Sequence, residues 1–442
     1  MTKDLSIVIM AAGKGTRMRS SIPKVLHKIA HKPLLNHVID TAETLRPKHI
    51  ICVVGPDVPA VEEAAKPHTV VIQKERLGTG HALKTALSEI KDFKGTVMVL
   101  SGDVPLITAD MLGDLAARHA QGDNPAATIM AMMPDEPTGY GRIVLSDEGH
   151  VECIVEEKDA SDAQKAISLC NGGVYCFDGE GLHTWIEKLS NDNAQKEYLL
   201  PDLIAIAKEE GRVSVVVEGD DESLLGVNTR DQLAELEMIF QNRQRMKFLD
   251  AGVTMQDPAT VYFAADTQIA ADVTIEPSVI FGEGVTVEEG CIVKGFSHIE
   301  GSYICANSKI GPFARLRPGT NLSENVEVGN FVEVNRSTIG KGTKAKHFTY
   351  LGDAVLHKDV NIGAGTIICN YDGINKHKTI IKDRAFIGSN STLIAPLTVG
   401  EGAYIAAGSA VTEDVEKESL VIARTRGKLL SGWAKDRNKS KK

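Results

Sequence analysis

Apolar residues follow two different rhythms along this 442-residue chain. In the first half, short apolar runs recur at residues 5–10, 50–54, 70–73, 97–100, 127–132 and 213–217. Stretches with helical spacing, such as 33–44, lie between several of them, a pattern that predicts an α/β domain with a largely parallel sheet. Residues 229–249 form a long charged segment with Leu233, Leu236 and Phe240 on one face and Thr229 and Gln232 as a capping pair. This segment reads as a helical linker. Beyond it, aliphatic side chains recur at every sixth position: Ile269, Ile275, Phe281, Val287, Val293 and Ile299, then Ile304 to Val334, then Ile381, Ile387, Leu393, Val399, Ile405 and Val411. Small residues follow many of these positions, among them Gly311, Gly329, Gly363, Gly388 and Gly400.

A unit of six is one short strand and a tight turn, and three units close one triangular coil. Separate strands of a β-sandwich would alternate, but would not hold a six-residue phase through consecutive units. A stacked parallel β-helix is therefore expected, and the interval 369–379, which breaks the phase, should project from it as a loop. The predicted boundaries are 1–228 for the α/β domain, 229–250 for the linker and 251–442 for the β-helix, with a basic disordered tail from about residue 435.

Composition narrows the setting. A net charge of −10 gives no support for nucleic-acid binding. The seven cysteines are scattered and include no C-x-x-C pair, which favours reduced thiols and a cytoplasmic location. The apolar run after Asp4 is too short for a signal or membrane segment, so no membrane insertion is expected.

Two motifs carry candidate chemistry. After the first apolar run come Ala11, Ala12, Gly13, Lys14, Gly15, Thr16 and Arg17, which match neither a Walker loop nor a dinucleotide fingerprint. Glycines let backbone N–H groups approach phosphate oxygens, and Arg17 and Lys24 add positive charge. The same loop would serve equally as a plain strand-to-helix turn, with Lys24 a solvated surface residue. The run 97–100 ends in Ser101, Gly102, Asp103, Val104 and Pro105, which puts a carboxylate at the C-terminal end of a sheet strand, where open α/β sheets bind ligands. Such an Asp can be a helix cap; beside a phosphate loop it is also a good Mg²⁺ ligand.

These stretches, with Leu77 to His81, Pro137 to Arg142, Gly226 to Asn228, Gly311 to Gly319, His347 to Gly352 and Asn361 to Gly373, closely resemble the bacterial bifunctional N-acetylglucosamine-1-phosphate uridyltransferase / glucosamine-1-phosphate acetyltransferase family over essentially the whole chain. The resemblance implies an α/β nucleotidyltransferase (Rossmann-like) domain followed by a left-handed parallel β-helix that forms a homotrimer. It also implies two activities in the service of cell-wall precursor synthesis. Glucosamine-1-phosphate is acetylated by acetyl-CoA, and UMP then passes from UTP to N-acetylglucosamine-1-phosphate.

Carried over residue by residue, the uridyl nucleotide sugar would lie against Met10, Ala11, Ala12, Gly13, Lys24, Gln73, Gly78, Thr79, Ser101, Gly102, Asp103, Gly141, Glu156, Asn171 and Asn228. Mg²⁺ would be held by Asp103 and Asn228, and Arg17 and Lys24 would offset phosphate charge. In the β-helix, His347 matches the family's general base, and an imidazole titrates in the useful range. Outside that match, a lone histidine in a repeat is more often a surface residue. The acceptor sugar phosphate would meet Arg317, Tyr350, Asn361 and Lys376, and acetyl-CoA would meet Ala364, Asn370, Tyr371, Ser389, Ala407 and Arg424, the last reaching coenzyme A bound by a neighbouring subunit. Asn335 stands where the family commonly has a phosphate-binding lysine, and Arg336 beside it is expected to supply part of that charge. Two alternatives stay open: a uridyltransferase whose β-helix is only a trimerising scaffold, and a β-helix zinc hydratase using His347, His357 and His377.

Overall fold

In the first strand of the chain, Leu5–Ala11, alternate side chains go to opposite faces: Ile7 and Ile9 pack into one buried cluster and Val8 into another. Both faces of the sheet are covered, which is why its strands read as continuous apolar runs. The computed structural model of the chain describes residues 4–122, 124–193 and 195–435. It forms two compact units, residues 1–240 and 241–442, and the division falls inside the helix Arg230–Asp250.

The first unit is a Rossmann-like α/β fold on a nine-stranded sheet. Leu5–Ala11 is central, parallel to both His49–Val54 and Thr96–Ser101. Parallel pairing continues from His49–Val54 to Thr69–Ile72, and joins Ser214–Glu218 to Ala127–Met132. The parallel expectation fails in the antiparallel pair Arg142–Leu145 and Val151–Val155 and at Cys170–Asp178, which runs antiparallel between Thr96–Ser101 and Ala127–Met132. The register of Cys170–Asp178 shifts between Asn171 and Tyr175, at Gly172 and Gly173, so an apolar run interrupted by two glycines conceals a central strand.

The second unit is a left-handed parallel β-helix. Three hexads make eighteen residues, and the ladder repeats at that offset: Tyr262 lies opposite Ile280, and Ile280 opposite His298. The aliphatic row fills the interior; Ile275, Phe281, Ile304, Ile310, Leu316, Ile387 and Leu393 are completely buried. Elsewhere a coil drops one residue. The row steps five positions from Ile299 to Ile304, from Val334 to Ile339 and from Leu351 to Leu356, and His298 accordingly pairs with Arg315 and Glu333 with Tyr350. Residues 370–378 add a loop, so that Ile367 pairs with Thr392 one coil on.

A solenoid leaves its terminal coil open, and the C-terminal half of Arg230–Asp250 closes it within this unit. Phe248 packs at a tilt against Phe263, which stacks on Phe281. Gln241 exchanges two hydrogen bonds with the backbone of Phe263, and Arg245 donates to the carbonyls of Val261 and Ala259. The basic tail expected beyond Lys435 lies outside the described residues. Among the described residues no helix is long and apolar enough to cross a membrane.

Candidate active sites

In the first unit, strand ends and loops distant in sequence converge on a cleft of about 460 Å³. Met10, Ala11, Ala12, Gly13, Lys24, Gln73, Gly78, Thr79, Ser101 and Asp103 line it, together with Lys14, Arg76 and Glu197. The Lys24 ammonium donates to Asp103 Oδ2 and, at 3.2 Å, to Asn228 Oδ1, which also accepts from Arg17 at 2.9 Å. Ser101 Oγ donates to the second Asp103 oxygen at 2.6 Å. Gly102 packs beneath, its N–H donating to the Met10 carbonyl at 2.9 Å.

Asp103 and Asn228 thus present oxygens to a single cation, here the lysine ammonium, and hard oxygen donors suit Mg²⁺. Asn228 is fixed by the helix start: its N–H donates to Gln232 Oε1 at 2.8 Å, and Gln232 N–H faces Thr229 Oγ1 at 3.4 Å. The capping pair therefore holds Asn228, one residue before the predicted cap.

At the other side of the cleft, Gly78 has φ +105°, and a Cβ there would lie 2.5 Å from the Tyr198 carbonyl oxygen, so only glycine fits. Gln73, almost fully buried, donates to the Gly78 carbonyl at 3.1 Å. Arg76 went unrecognised in the sequence; its Nε donates to the Ala12 carbonyl at 2.7 Å and holds the glycine loop, and the signal for it was its place just ahead of Leu77 to His81. Gly141, Glu156 and Asn171 are not among the residues lining that cleft but form a group of their own. Asn171 N–H donates to the Gly141 carbonyl at 2.9 Å, and a Cβ on Gly141 would lie 3.6 Å from Glu156 Oε1. Burial, with Asp159 and Asp202 close by, holds the Glu156 carboxyl above the ordinary carboxylate range.

In the β-helix, candidate residues stack one coil apart. Asn330 pairs with His347, the Ala364 carbonyl accepts from Asn390 N–H, and the Ser389 carbonyl accepts from Gly408 N–H. Cβ atoms on Gly363 and Gly388 would lie 2.5 Å from the backbone nitrogens of Ser389 and Ala407. Ala364, Ser389 and Ala407 therefore continue the His347 corner, with Arg424 packed near Gly408.

The exposed His347 ring places Nδ1 2.8 Å from Asn330 Oδ1. A carbonyl oxygen only accepts, so Nδ1 carries the hydrogen and Nε2 the lone pair. Asn330 was also missed in the sequence, because its relation to His347 becomes visible only when the coil length is known.

The adjoining corner column has left-handed backbone throughout: Phe296, Phe313, Phe331 and Phe348, then Gly365, Asn390 and Gly408. The four phenylalanines are exposed and stack with centroids 5.0 Å apart. Aromatic bulk therefore ends where the Ala364, Ser389 and Ala407 corner begins.

Arg317 donates to Glu333 at 2.9 Å, Asn361 begins a strand between Lys344 and Phe386, and Tyr371 and Lys376 bridge the base of the projecting loop. The Arg336 guanidinium, expected to replace charge missing at Asn335, is directed to Asp353 in a two-pronged pair at 2.7 and 2.8 Å. Asn335 is buried, with its Oδ1 accepting from Arg336 at 3.2 Å. His357 faces Asp383 and His377 faces Asp372, and among the described residues no cluster of three His, Cys, Asp or Glu side chains is arranged to hold a metal ion.

A polar cleft at the strand ends of a Rossmann-like sheet and a histidine-bearing corner on a hexad β-helix are the two sites of a nucleotidyltransferase joined to a hexapeptide-repeat acyltransferase. Residues 7–166 match the MobA-like NTP transferase domain, and residues 378–413 match the hexapeptide repeat of succinyl-transferase. The chain is 47% identical over 444 aligned residues to the bifunctional protein GlmU of Zymomonas mobilis, covering all of this chain and 99% of that protein. It is 46% identical to the GlmU proteins of Cellvibrio japonicus, over 99% of this chain and 100% of the relative, and of Paramagnetospirillum magneticum, over 97% and 96%. The chain belongs to the bifunctional GlmU family.

Proposed function

We propose that the chain acetylates glucosamine-1-phosphate with acetyl-CoA at the β-helix and then, at the α/β unit, transfers UMP from UTP to N-acetylglucosamine-1-phosphate, releasing pyrophosphate. Residues 1–228 carry uridyl transfer and 251–442 carry acetyl transfer, with 229–250 joining them. The observation that carries this reading is the pairing of two complete polar arrangements, one around Lys24, Asp103 and Asn228 and one around His347 and Asn330.

In uridyl transfer the sugar phosphate is already an anionic nucleophile, so attack on the α-phosphorus needs alignment and charge neutralisation rather than a base. Arg17 and Lys24 offset charge on the triphosphate and the departing pyrophosphate, while the Gly13 and Gly78 backbones admit close approach of the nucleotide. Asp103 and Asn228 would hold Mg²⁺, which, when bound, supplies further neutralisation at the phosphates.

In acetyl transfer the acceptor ammonium gives one proton to His347 Nε2, and the resulting amine forms the C–N bond by attack on the acetyl carbonyl. As the C–S bond breaks, the second nitrogen proton passes to the departing thiolate, leaving amide and free thiol. Asn330 keeps that nitrogen in the basic tautomer. Arg317, Tyr350, Asn361 and Lys376 receive the sugar phosphate; Ala364, Asn370, Tyr371, Ser389, Ala407 and Arg424 receive acetyl-CoA.

A homotrimer is part of the proposal, and the ladder of exposed phenylalanines from Phe296 to Phe348 supports it, because a row of stacked aromatic side chains is an apolar seam suited to burial against another subunit. The location proposed is the cytoplasm. Separate assays test each half. Glucosamine-1-phosphate with acetyl-CoA should release thiol, and N-acetylglucosamine-1-phosphate with UTP and Mg²⁺ should release pyrophosphate, both from a species that light scattering reads as a trimer. Pyrophosphate without thiol would reduce the β-helix to a scaffold, and an active monomer would remove the trimer.

A further inference from the structure

The projecting loop 370–378 begins at Asn370 and ends before Thr379, and both junctions are tied to one residue of the preceding coil. The Asp353 carboxylate accepts from Asn370 Nδ2, while the Asp353 carbonyl accepts from Thr379 N–H at 3.2 Å. Asp353 is itself fixed from the coil before. Its N–H donates to the Asn335 carbonyl at 3.0 Å, and Arg336 grips its carboxylate through Nε at 2.7 Å and Nη2 at 2.8 Å.

The carboxylate is mostly buried, at 18% exposure, and Asn370 is 6% exposed, so neither has a ready alternative partner in water. Beside them, a Cβ on Gly352 would lie 2.5 Å from Tyr350 Oη and 2.7 Å from Asn370 Nδ2. Two groups of the proposed acetyl site therefore converge over a glycine, and the residue after that glycine anchors one of them. The hydrogen bonds from Arg336 and then Asn370, with the charges of Arg336 and Lys376, hold the Asp353 carboxyl below its ordinary range, so it stays an acceptor at neutral pH.

We infer that Asp353 is a positioning residue for acetyl transfer: braced by Arg336, it fixes the Asn370 amide and both junctions of the loop that carries Tyr371 and Lys376. This rests on the reading of the β-helix as the acetyltransferase. It touches no reacting atom in this account and acts through Asn370. It also gives Arg336 a role that does not require contact with the sugar phosphate.

The test is a double-mutant cycle in the full-length protein, read by thiol release. Asp353 has φ +49°, a conformation glycine and asparagine tolerate, so Asp353→Gly removes the carboxylate without new backbone strain. Asp353→Asn keeps one oxygen able to accept from Asn370. Asp353→Gly should lower kcat for acetyl transfer roughly 10- to 100-fold, with KM for either substrate within about threefold, as expected for misplacement rather than lost binding. Asp353→Asn should recover part of that loss.

Adding Asp353→Gly to Asn370→Ala should cost no further activity, because the first acts through the second. Multiplying losses, or an Asp353→Gly enzyme within about twofold of wild type, would overturn the positioning role. A wild type that releases no thiol at all would overturn the acetyltransferase reading with it.

Discussion

The two units gather their polar groups in opposite ways. In the α/β unit Arg17 and Lys24, Asp103, and Asn228 come from three segments distant in sequence and meet because parallel strands end at one edge of the sheet. In the β-helix Asn330 and His347 meet because they occupy the same corner on successive coils. A sheet-edge site depends on the whole topology, whereas a solenoid site depends on coil length and a few neighbouring coils. Loss of one site should therefore leave the other intact, and each variant below either breaks or sharpens that separation.

The largest effect is expected from His347→Ala. Acetyl transfer should fall roughly 10²- to 10⁴-fold, the usual contribution of a general base, with pyrophosphate release unchanged. Asp103→Ala is the mirror experiment: uridyl transfer should drop by roughly 10²- to 10³-fold or more as the converging cation loses its carboxylate, while thiol release stays within about twofold. Equal loss of both activities in either folded variant would break the comparison.

Asn335→Lys is a smaller perturbation. With the Arg336 fork held by Asp353, a lysine should supply phosphate attraction that this corner lacks, lowering KM for glucosamine-1-phosphate about three- to tenfold with little change in kcat. A KM that does not move would show that the phosphate lies elsewhere.

The smallest effect concerns pH. Glu156 is held above the ordinary carboxylate range by burial and by Asp159 and Asp202, so as pH falls it protonates earlier than an ordinary glutamate. Its folded form favours the proton, so this group becomes less unfavourable to stability as pH falls through its raised pKa. Its negative charge is lost over the same interval. Uridyl transfer by the wild type should therefore decline on the acid side more steeply than that of Glu156→Gln, whose side chain does not titrate. Superimposable profiles would remove Glu156 from the sugar site.

The β-helix was the more legible region. Its period of six gave the strands and the buried row directly, because every coil repeats one physical requirement: an aliphatic residue inside and a turn at the corner. Hidden from that row were the five-residue steps into Ile304, Ile339 and Leu356, which shorten a coil without disturbing what is buried. Without those steps Asn330 could not be placed beside His347, nor Asp353 beside Asn370.

In the α/β unit the parallel strands were readable as apolar runs, but Cys170–Asp178 was not, since Gly172 and Gly173 break its pattern at a bulge. The convergence of Lys24 with Asp103 and Asn228 is a property of the folded sheet and leaves no periodic trace. The glycine loop and Asp103, each following a sheet strand, pointed to their closeness, whereas the place of Asn228 was expected only from the family resemblance.

The most direct test of two independent sites in one chain is complementation between two variants, each deficient at one site. His347→Ala and Asp103→Ala, assayed separately with glucosamine-1-phosphate, acetyl-CoA, UTP and Mg²⁺, should each make little UDP-N-acetylglucosamine. Mixed, they should restore its synthesis, because N-acetylglucosamine-1-phosphate released by Asp103→Ala is a substrate for the intact uridyl site of His347→Ala. A mixture as silent as its components, with each variant folded and active in its own half-reaction, would contradict the account.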